Sequence, residues 1–425
     1  MSQAWSRRTL LGAATAPLYV PSRVLGANAP SKRVTVGVIG VGRQTVFVNL
    51  KQFLAMDDVQ VVAVCDVDRW RLDNAVRQVE AGGSKGCKAY GHFEELLADK
   101  SIDAVMVATP DHWHVPISMA AVKAGKDVSC EKPLTRTIHE GRQLADLVKK
   151  NKRVFRTDSE YRSKPWYHQA REAVRNGRIG QLQRIHTGVP KGDEACAPQP
   201  DMPVPPELDY ERWQGAAPRA PYTERRVHKP KAYERPGWMR RLEYCDGMVT
   251  NWGTHHNDLA QSANNTDRTG PVEVEGRGTY PGPESFWQVL LDFEVHYRYS
   301  NGVRLIYRID KPSLRFEGTE GWIYADDTGK LEASKPSILA PPEGANWVKL
   351  PMKEDKRDFI DAVKTRGETM ADAEVGHRTT SVCHLGHIAI QVGQRLEWDP
   401  VKEQFTNNSA ANAFVTRGVT RILKT

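Results

Sequence analysis

VTVGVIGVGR, residues 34–43, decides the fold. The first six positions are dense in β-branched residues, and a helical pattern follows over 44–54. A strand that runs through Gly-x-Gly into a helix is a phosphate-binding turn. Gly40 permits the tight turn, Gly42 lets the backbone approach a pyrophosphate, and the amides at the helix start face its charge. The third fingerprint position is Thr45, where glycine or alanine is usual. The next apolar run, 59–65, ends at Asp66, whose carboxylate is placed to accept hydrogen bonds from the adenosine ribose. A carboxylate there repels a 2′-phosphate, so NAD is expected. Arg69 and Arg71 nearby keep NADP as the alternative. The plainer reading of Asp66 is an N-cap for a helix over 68–79.

Outward from this stretch the alternation continues. Helices are expected over 93–98, 115–124 and 139–150, and strands over 103–108, 127–130 and 154–157. Continuous apolar strands alternating with helices imply a doubly wound parallel sheet, covered on both faces. Ligands in such folds sit beyond the carboxyl ends of the strands. The loop Thr109-Pro110-Asp111-His112-Trp113-His114 and the tripeptide Glu131-Lys132-Pro133 occupy such ends. Thr109, Pro110, His112, His114, Glu131 and Lys132 therefore join Gly37, Gly40, Gly42, Arg43 and Asp66 as candidate cofactor contacts.

Beyond residue 157 the pattern changes. A helix over 165–176 and a strand over 182–189 precede a long excursion, 190–245, rich in Pro, Arg, Trp and Tyr. A loop of that length in a compact domain is functional or disordered, and the aromatics Trp213, Tyr222, Tyr233 and Trp238 favour function. It is expected to pack over the substrate cleft or a neighbouring subunit. Strands then dominate, over 272–278, 287–299, 303–309, 314–317 and 322–325, with Asn301-Gly302 as a hairpin turn. Two helices close the chain, 356–365 and 374–394, the second softened by Gly376, Gly386 and Gly393. The expected layout is a signal segment over 1–29, a Rossmann domain over 30–157 and an α+β domain over 158–425.

Composition narrows the class. The 425 residues are 40% hydrophobic and 26% charged, as in ordinary globular enzymes. The net charge of +8 is inflated by Arg7, Arg8 and Arg23 near the start, and no basic stripe with interleaved aromatics argues for nucleic acid. The six cysteines show no Cys-x-x-Cys pair, so no metal site is expected. Ser6-Arg7-Arg8-Thr9-Leu10-Leu11, followed by a modest apolar stretch, reads as a twin-arginine (Tat) export signal and implies a periplasmic or otherwise exported protein. No stretch reaches the ~18 apolar residues of a membrane span, so no membrane insertion is expected once the signal is removed.

The motifs GVIGVG (37–42), CDVD (65–68), ATPDHWH (108–114), CEKPL (130–134), GRIG (177–180), NWGTHH (251–256) and RFEGTEGW (315–322) together resemble the Gfo/Idh/MocA oxidoreductases. The resemblance implies a Rossmann domain followed by an α+β domain on an open, mostly antiparallel sheet, which covers the nicotinamide and often forms an oligomer contact, so a homo-oligomer is expected. It implies that Lys132 belongs to the catalytic site. It also implies an Asp and a His four residues apart; here these positions are Asn251 and His255, so the acid is missing.

Hydride transfer from a carbinol needs a base and a cation near the developing alkoxide. His255 suits the base and Lys132 the cation, while Asn251 can orient but not ionise. A histidine without its partner acid is expected to have a lower pKa. Asp258, three residues on, is expected to restore part of the charge. The reaction expected is oxidation or reduction at a hydroxyl or ketone of a sugar, cyclitol or sugar-derived substrate. The alternatives are a glycoside hydrolase that cycles NAD without net consumption, and a non-catalytic dinucleotide-binding protein.

Overall fold

The computed structural model describes residues 33–340 and 347–418. The twin-arginine segment lies outside the described residues.

Six parallel strands form the first sheet: β1 (Val34–Ile39), β2 (Val59–Cys65), β3 (Lys88–Tyr90), β4 (Ala104–Val107), β5 (Asp127–Cys130) and β6 (Phe155–Thr157). Their order is β3-β2-β1-β4-β5-β6, the dinucleotide-binding arrangement, with the reversal between β1 and β4. The strands read as unbroken apolar runs because both faces are buried. On one face Ile39, Val105 and Val107 pack against α3 (Phe93–Ala98), α4 (His114–Lys123) and α5 (Ile138–Asn151). On the other, Val36, Val38 and Val61 pack against α1 (Leu50–Leu54) and α2 (Arg69–Ala81). That second face is completed from far along the chain. Phe359, Ile360 and Val363 of α10 (Asp355–Thr365) enter the same core.

The second sheet has nine strands. They are β7 (Leu182–Val189), β8 (Glu273–Thr279), β9 (Asp292–Arg298), β10 (Arg304–Ile309), β11 (Ser313–Gly318), β12 (Trp322–Asp326), β13 (Leu331–Ala333), β14 (Leu396–Asp399) and β15 (Gln404–Phe405). The order is β13-β12-β11-β7-β10-β9-β8-β14-β15; among the described residues only the β7–β10 pair of this sheet is parallel. Side chains alternate as a one-sided sheet requires. Phe293, Val295 and Tyr297 of β9 point inward, and Asp292, His296 and Arg298 outward. The inner face packs against α6 (Pro165–Arg175), α9 (Gly253–Ala263) and α11 (Ala373–Val392).

Three expectations need correction. Asp68, not Asp66, caps α2, accepting from the Arg71 amide. Gly376 and Gly386 do not soften α11; they are close-packing sites. A Cβ there would stand 2.0 Å from Thr157 Oγ1 and 2.3 Å from Tyr297 Oη respectively. Strand β9 begins at Asp292, because residues before it are drawn against the excursion, where the Gln288 amide donates to the Arg240 carbonyl at 2.9 Å. The six cysteines are unpaired, and Cys65 and Cys130 are buried.

Candidate active site

The site grows from the carboxyl ends of β1, β2, β4 and β5. Gly40 has φ +86°, and a Cβ there would lie 2.7 Å from the backbone of Ala108 and Thr109, so only glycine lets the turn press against the β4 loop. At Gly42 a Cβ would meet nothing within 4 Å; this is open space at the helix start, where a pyrophosphate fits. Thr45 explains its own departure from the fingerprint. It is buried, and its hydroxyl donates to the Gly40 carbonyl at 2.7 Å, tying the helix to the turn. The backbone there winds as a π-helix over Thr45–Asn49.

Asp66 sits at the end of β2. One carboxylate oxygen accepts from the Val41 amide at 2.8 Å and the other from the Asp68 amide at 2.9 Å. Burial, with the Asp68 charge second, pushes its carboxyl above the ordinary range. Two hydrogen bonds leave lone pairs for ribose hydroxyls. Arg71 is not free for a 2′-phosphate: it donates to the Ala232 carbonyl at 2.7 Å and pairs with Asp68.

Gly40, Gly42, Asp66 and Arg71 line a cavity of about 410 Å³ with Arg43, Thr109, Pro110, His114, Glu131, Lys132, Asn251 and Trp252. That volume suits a small-molecule or cofactor site. Thr109 Oγ1 is buried there without a hydrogen-bond partner, as a group awaiting a ligand would be. The ring nitrogens of His114 meet the carbonyls of Pro133 at 2.8 Å and Thr109 at 2.9 Å, so His114 brackets the β4 and β5 loops together. Glu131 accepts from Asn49 at 3.0 Å, and burial raises its carboxyl above the ordinary range.

Lys132 follows, before a cis peptide bond to Pro133. Its ammonium donates to the backbone carbonyl of Asn251 at 2.8 Å, across to the second half of the molecule. A continuous helix would use that carbonyl itself. Here α8 (Met248–Asn251) stops, and the His255 amide bonds Trp252 at 3.1 Å instead. The break at Trp252 thus leaves the acceptor for Lys132.

His255 stands behind this wall and does not line the cavity. Its ring stacks on Tyr161, with centroids 4.2 Å apart and planes 17° from parallel. Its Nδ1 is buried and unpartnered. Burial first, then the Lys132 charge, pushes its pKa well below the usual 6.5. Asp258 gives it no help. Arg162 holds both Asp258 oxygens at 2.6 Å, and Ser159 and Thr379 complete the shell.

Two other expected contacts are displaced. His112 turns away from the cavity: its Nε2 meets the Trp213 carbonyl at 3.1 Å and its ring packs on Tyr244. Gly37 lies within β1, where a Cβ would sit 2.9 Å from Leu96; it serves strand–helix packing. Trp213 and Trp238, among the aromatics that marked the excursion as functional, line the cavity; sequence reasoning missed Trp252 and His228, which line it too.

Two family models match the chain. The NAD-binding Rossmann fold of the Gfo/Idh/MocA oxidoreductases covers residues 34–159, and the C-terminal alpha/beta domain of the same family covers 192–424. The chain belongs to the Gfo/Idh/MocA oxidoreductase family. Its Rossmann domain binds NAD, and it is an NAD-dependent dehydrogenase by family. No match was found among curated proteins. Aldose-aldose oxidoreductase from Caulobacter crescentus, complexed with glycerol, shares the fold of this Gfo/Idh/MocA chain at 17% identity, TM-score 0.64, covering 86% of this chain and 99% of that one. Levoglucosan dehydrogenase, in complex with NADH and levoglucosan, aligns at 17% identity, TM-score 0.60, over 86% and 99%. GenD2 from gentamicin A biosynthesis, in complex with NAD, aligns at 18% identity, TM-score 0.62, over 87% and 97%. At these identities the likeness is one of fold.

Proposed function

We propose that this oxidoreductase transfers hydride between NAD and a hydroxyl or ketone carbon of a sugar, cyclitol or sugar-derived substrate. The observation that carries this reading is the Lys132 ammonium, held at 2.8 Å by a carbonyl from the second half of the molecule in a cavity that also contains the glycine turn. The levoglucosan of one structural relative and the glycerol of another support a polyhydroxylated substrate.

NAD supplies the hydride acceptor when bound. Lys132 has three N–H donors and spends one on Asn251; in the reductive direction another can hold the ketone oxygen and pass it the proton that balances hydride arrival, and in the oxidative direction the neutral amine takes that proton from the hydroxyl. Trp252 lines the same cavity. His255 is neutral across the physiological range, so its contribution is to pack Tyr161 and α9 behind Lys132 unless its Nδ1 is reached by substrate. Asn251 aligns the Lys132 ammonium through its backbone carbonyl.

The test is a panel of aldoses, cyclitols and sugar acids incubated with enzyme and NAD, with reduced nicotinamide and product both followed. Stoichiometric reduction of NAD with one class supports the reading. Release of an aglycone without net reduction would replace it with the NAD-cycling hydrolase, and inertness toward every polyol would end it.

The twin-arginine pattern at Arg7-Arg8 supports export to the periplasm in the folded state. Fusing residues 1–29 to a reporter that is active only outside the cytoplasm tests this, with Arg7→Lys/Arg8→Lys as the control that should abolish export.

A further inference from the structure

The excursion does not hang over the substrate end alone. Its backbone pairs with the loop after β2, where Arg69 donates to the Glu207 carbonyl at 2.9 Å and Asp209 donates to the Val67 carbonyl at 2.9 Å. This is the loop that carries Asp66. A second contact follows 20 residues on. His228 Nε2 lies 3.0 Å from Asp68 Oδ2, and Arg71 Nε lies 3.4 Å from the same oxygen. All three side chains are buried. Tyr233 then reaches across: its ring packs on Trp70 of α2, at 5.2 Å between centroids, and on Phe47 at the start of the first helix, at 5.8 Å. Phe47 and Trp70 belong to the two helices that flank the groove between the glycine turn and Asp66. A third contact closes the far side. The Trp113 indole N–H donates to the Trp213 carbonyl at 2.9 Å, and Gly215 is pressed so close that a Cβ would lie 2.3 Å from the Trp113 ring. Trp213 and His228 line the cavity itself.

We propose that residues 207–239 form an outer wall over the adenosine half of the dinucleotide site, latched by His228 on Asp68 and by Tyr233 on Phe47 and Trp70, and that the dinucleotide leaves only when this wall lifts. The inference rests on NAD occupying the groove above Gly40 and Gly42. It assigns the excursion to the adenosine diphosphate portion of the cofactor, in addition to any part it plays toward substrate. A wall anchored at three places on the Rossmann half converts an open groove into an enclosed one. Its removal should therefore act chiefly on the dissociation rate.

The test is displacement of bound NADH by excess NAD, followed by nicotinamide fluorescence in a stopped-flow instrument, on the full chain. His228→Ala and Tyr233→Ala should each release NADH about tenfold faster than the wild type, or more. In the wild type, saturating ADP-ribose, which lacks the nicotinamide, should slow amide hydrogen exchange in residues 207–215 and 226–239. This second measurement does not depend on either variant folding. Release within about twofold of wild type in both variants, or exchange slowed only around the glycine turn and Asp66, would overturn the assignment while leaving NAD binding intact. Failure of the wild type to bind either NADH or ADP-ribose would remove the cofactor reading, and this inference with it.

Discussion

The Lys132 ammonium takes the backbone carbonyl of Asn251 at 2.8 Å, and it can do so because the helix that carries Asn251 breaks one residue later. Two halves of the molecule meet in that bond. A cation aimed by a backbone acceptor keeps its position while two of its N–H donors stay available to a substrate oxygen.

Lys132→Ala should lower kcat by roughly a thousandfold, the scale of a lost polarising or proton-transfer group. NAD binding, measured by fluorescence or calorimetry, should change little. Lys132→Arg should recover only a small part, because a planar fork does not replace a point charge at this carbonyl. Turnover unaffected in the alanine variant would remove the assigned site.

His255 should show the signature of a buried neutral histidine. Its folded pKa is depressed below the unfolded value, so below about pH 6.5 the unfolded chain takes a proton that the folded chain refuses. Stability from this residue is intact above pH 6.5 and falls as pH drops, by at most about 1.4 kcal/mol per pH unit. The stability difference between wild type and His255→Gln, from urea melts at pH 7.5 and 5.5, should therefore move against the wild type at the lower pH. A pH-independent difference would contradict the depressed pKa.

Asn251→Asp places a carboxylate on the residue whose carbonyl already holds Lys132. The new charge should raise the His255 pKa toward its ordinary value, read from the imidazole resonance in an NMR pH titration. An unchanged titration would mean that the side chain of residue 251 does not communicate with His255.

Asp66→Ala should weaken NAD binding by about tenfold or more, the scale of lost charge-assisted hydrogen bonds. NADP binding should weaken less, because the variant also loses a repulsion. Equal loss of both would trace the effect to the freed Val41 amide and a disordered turn rather than to the ribose.

Much of this was legible in the residues. Val34–Ile39 and the turn after it could be read because a buried parallel strand needs an unbroken apolar run, and a pyrophosphate needs glycine. Lys132 could be read because strand ends are where such folds bind ligands. His112 could not. It lies on a single 3-10 turn, Asp111–Trp113, and one residue of rotation there decides whether a ring faces the cavity or Trp213. Asp258 misled for a similar reason: spacing put it near His255, but Arg162, nearly a hundred residues away in sequence, claims both its oxygens. The target of the excursion was also beyond reach, since contacts such as His228 with Asp68 span 160 residues and leave no local pattern.

Phe359, wholly buried, packs against β1 and its neighbours some 300 positions upstream. On the ribosome, then, the nucleotide-binding half emerges early but stays unfinished, with one side of its sheet waiting for a helix made near the end of translation. Residues 30–157 produced alone should be poorly stable, and Phe359→Ala should cost the whole protein about 3–5 kcal/mol in denaturant unfolding. Assembly order is thereby coupled to quality control: a truncated chain exposes apolar surface instead of folding into a competent cofactor trap.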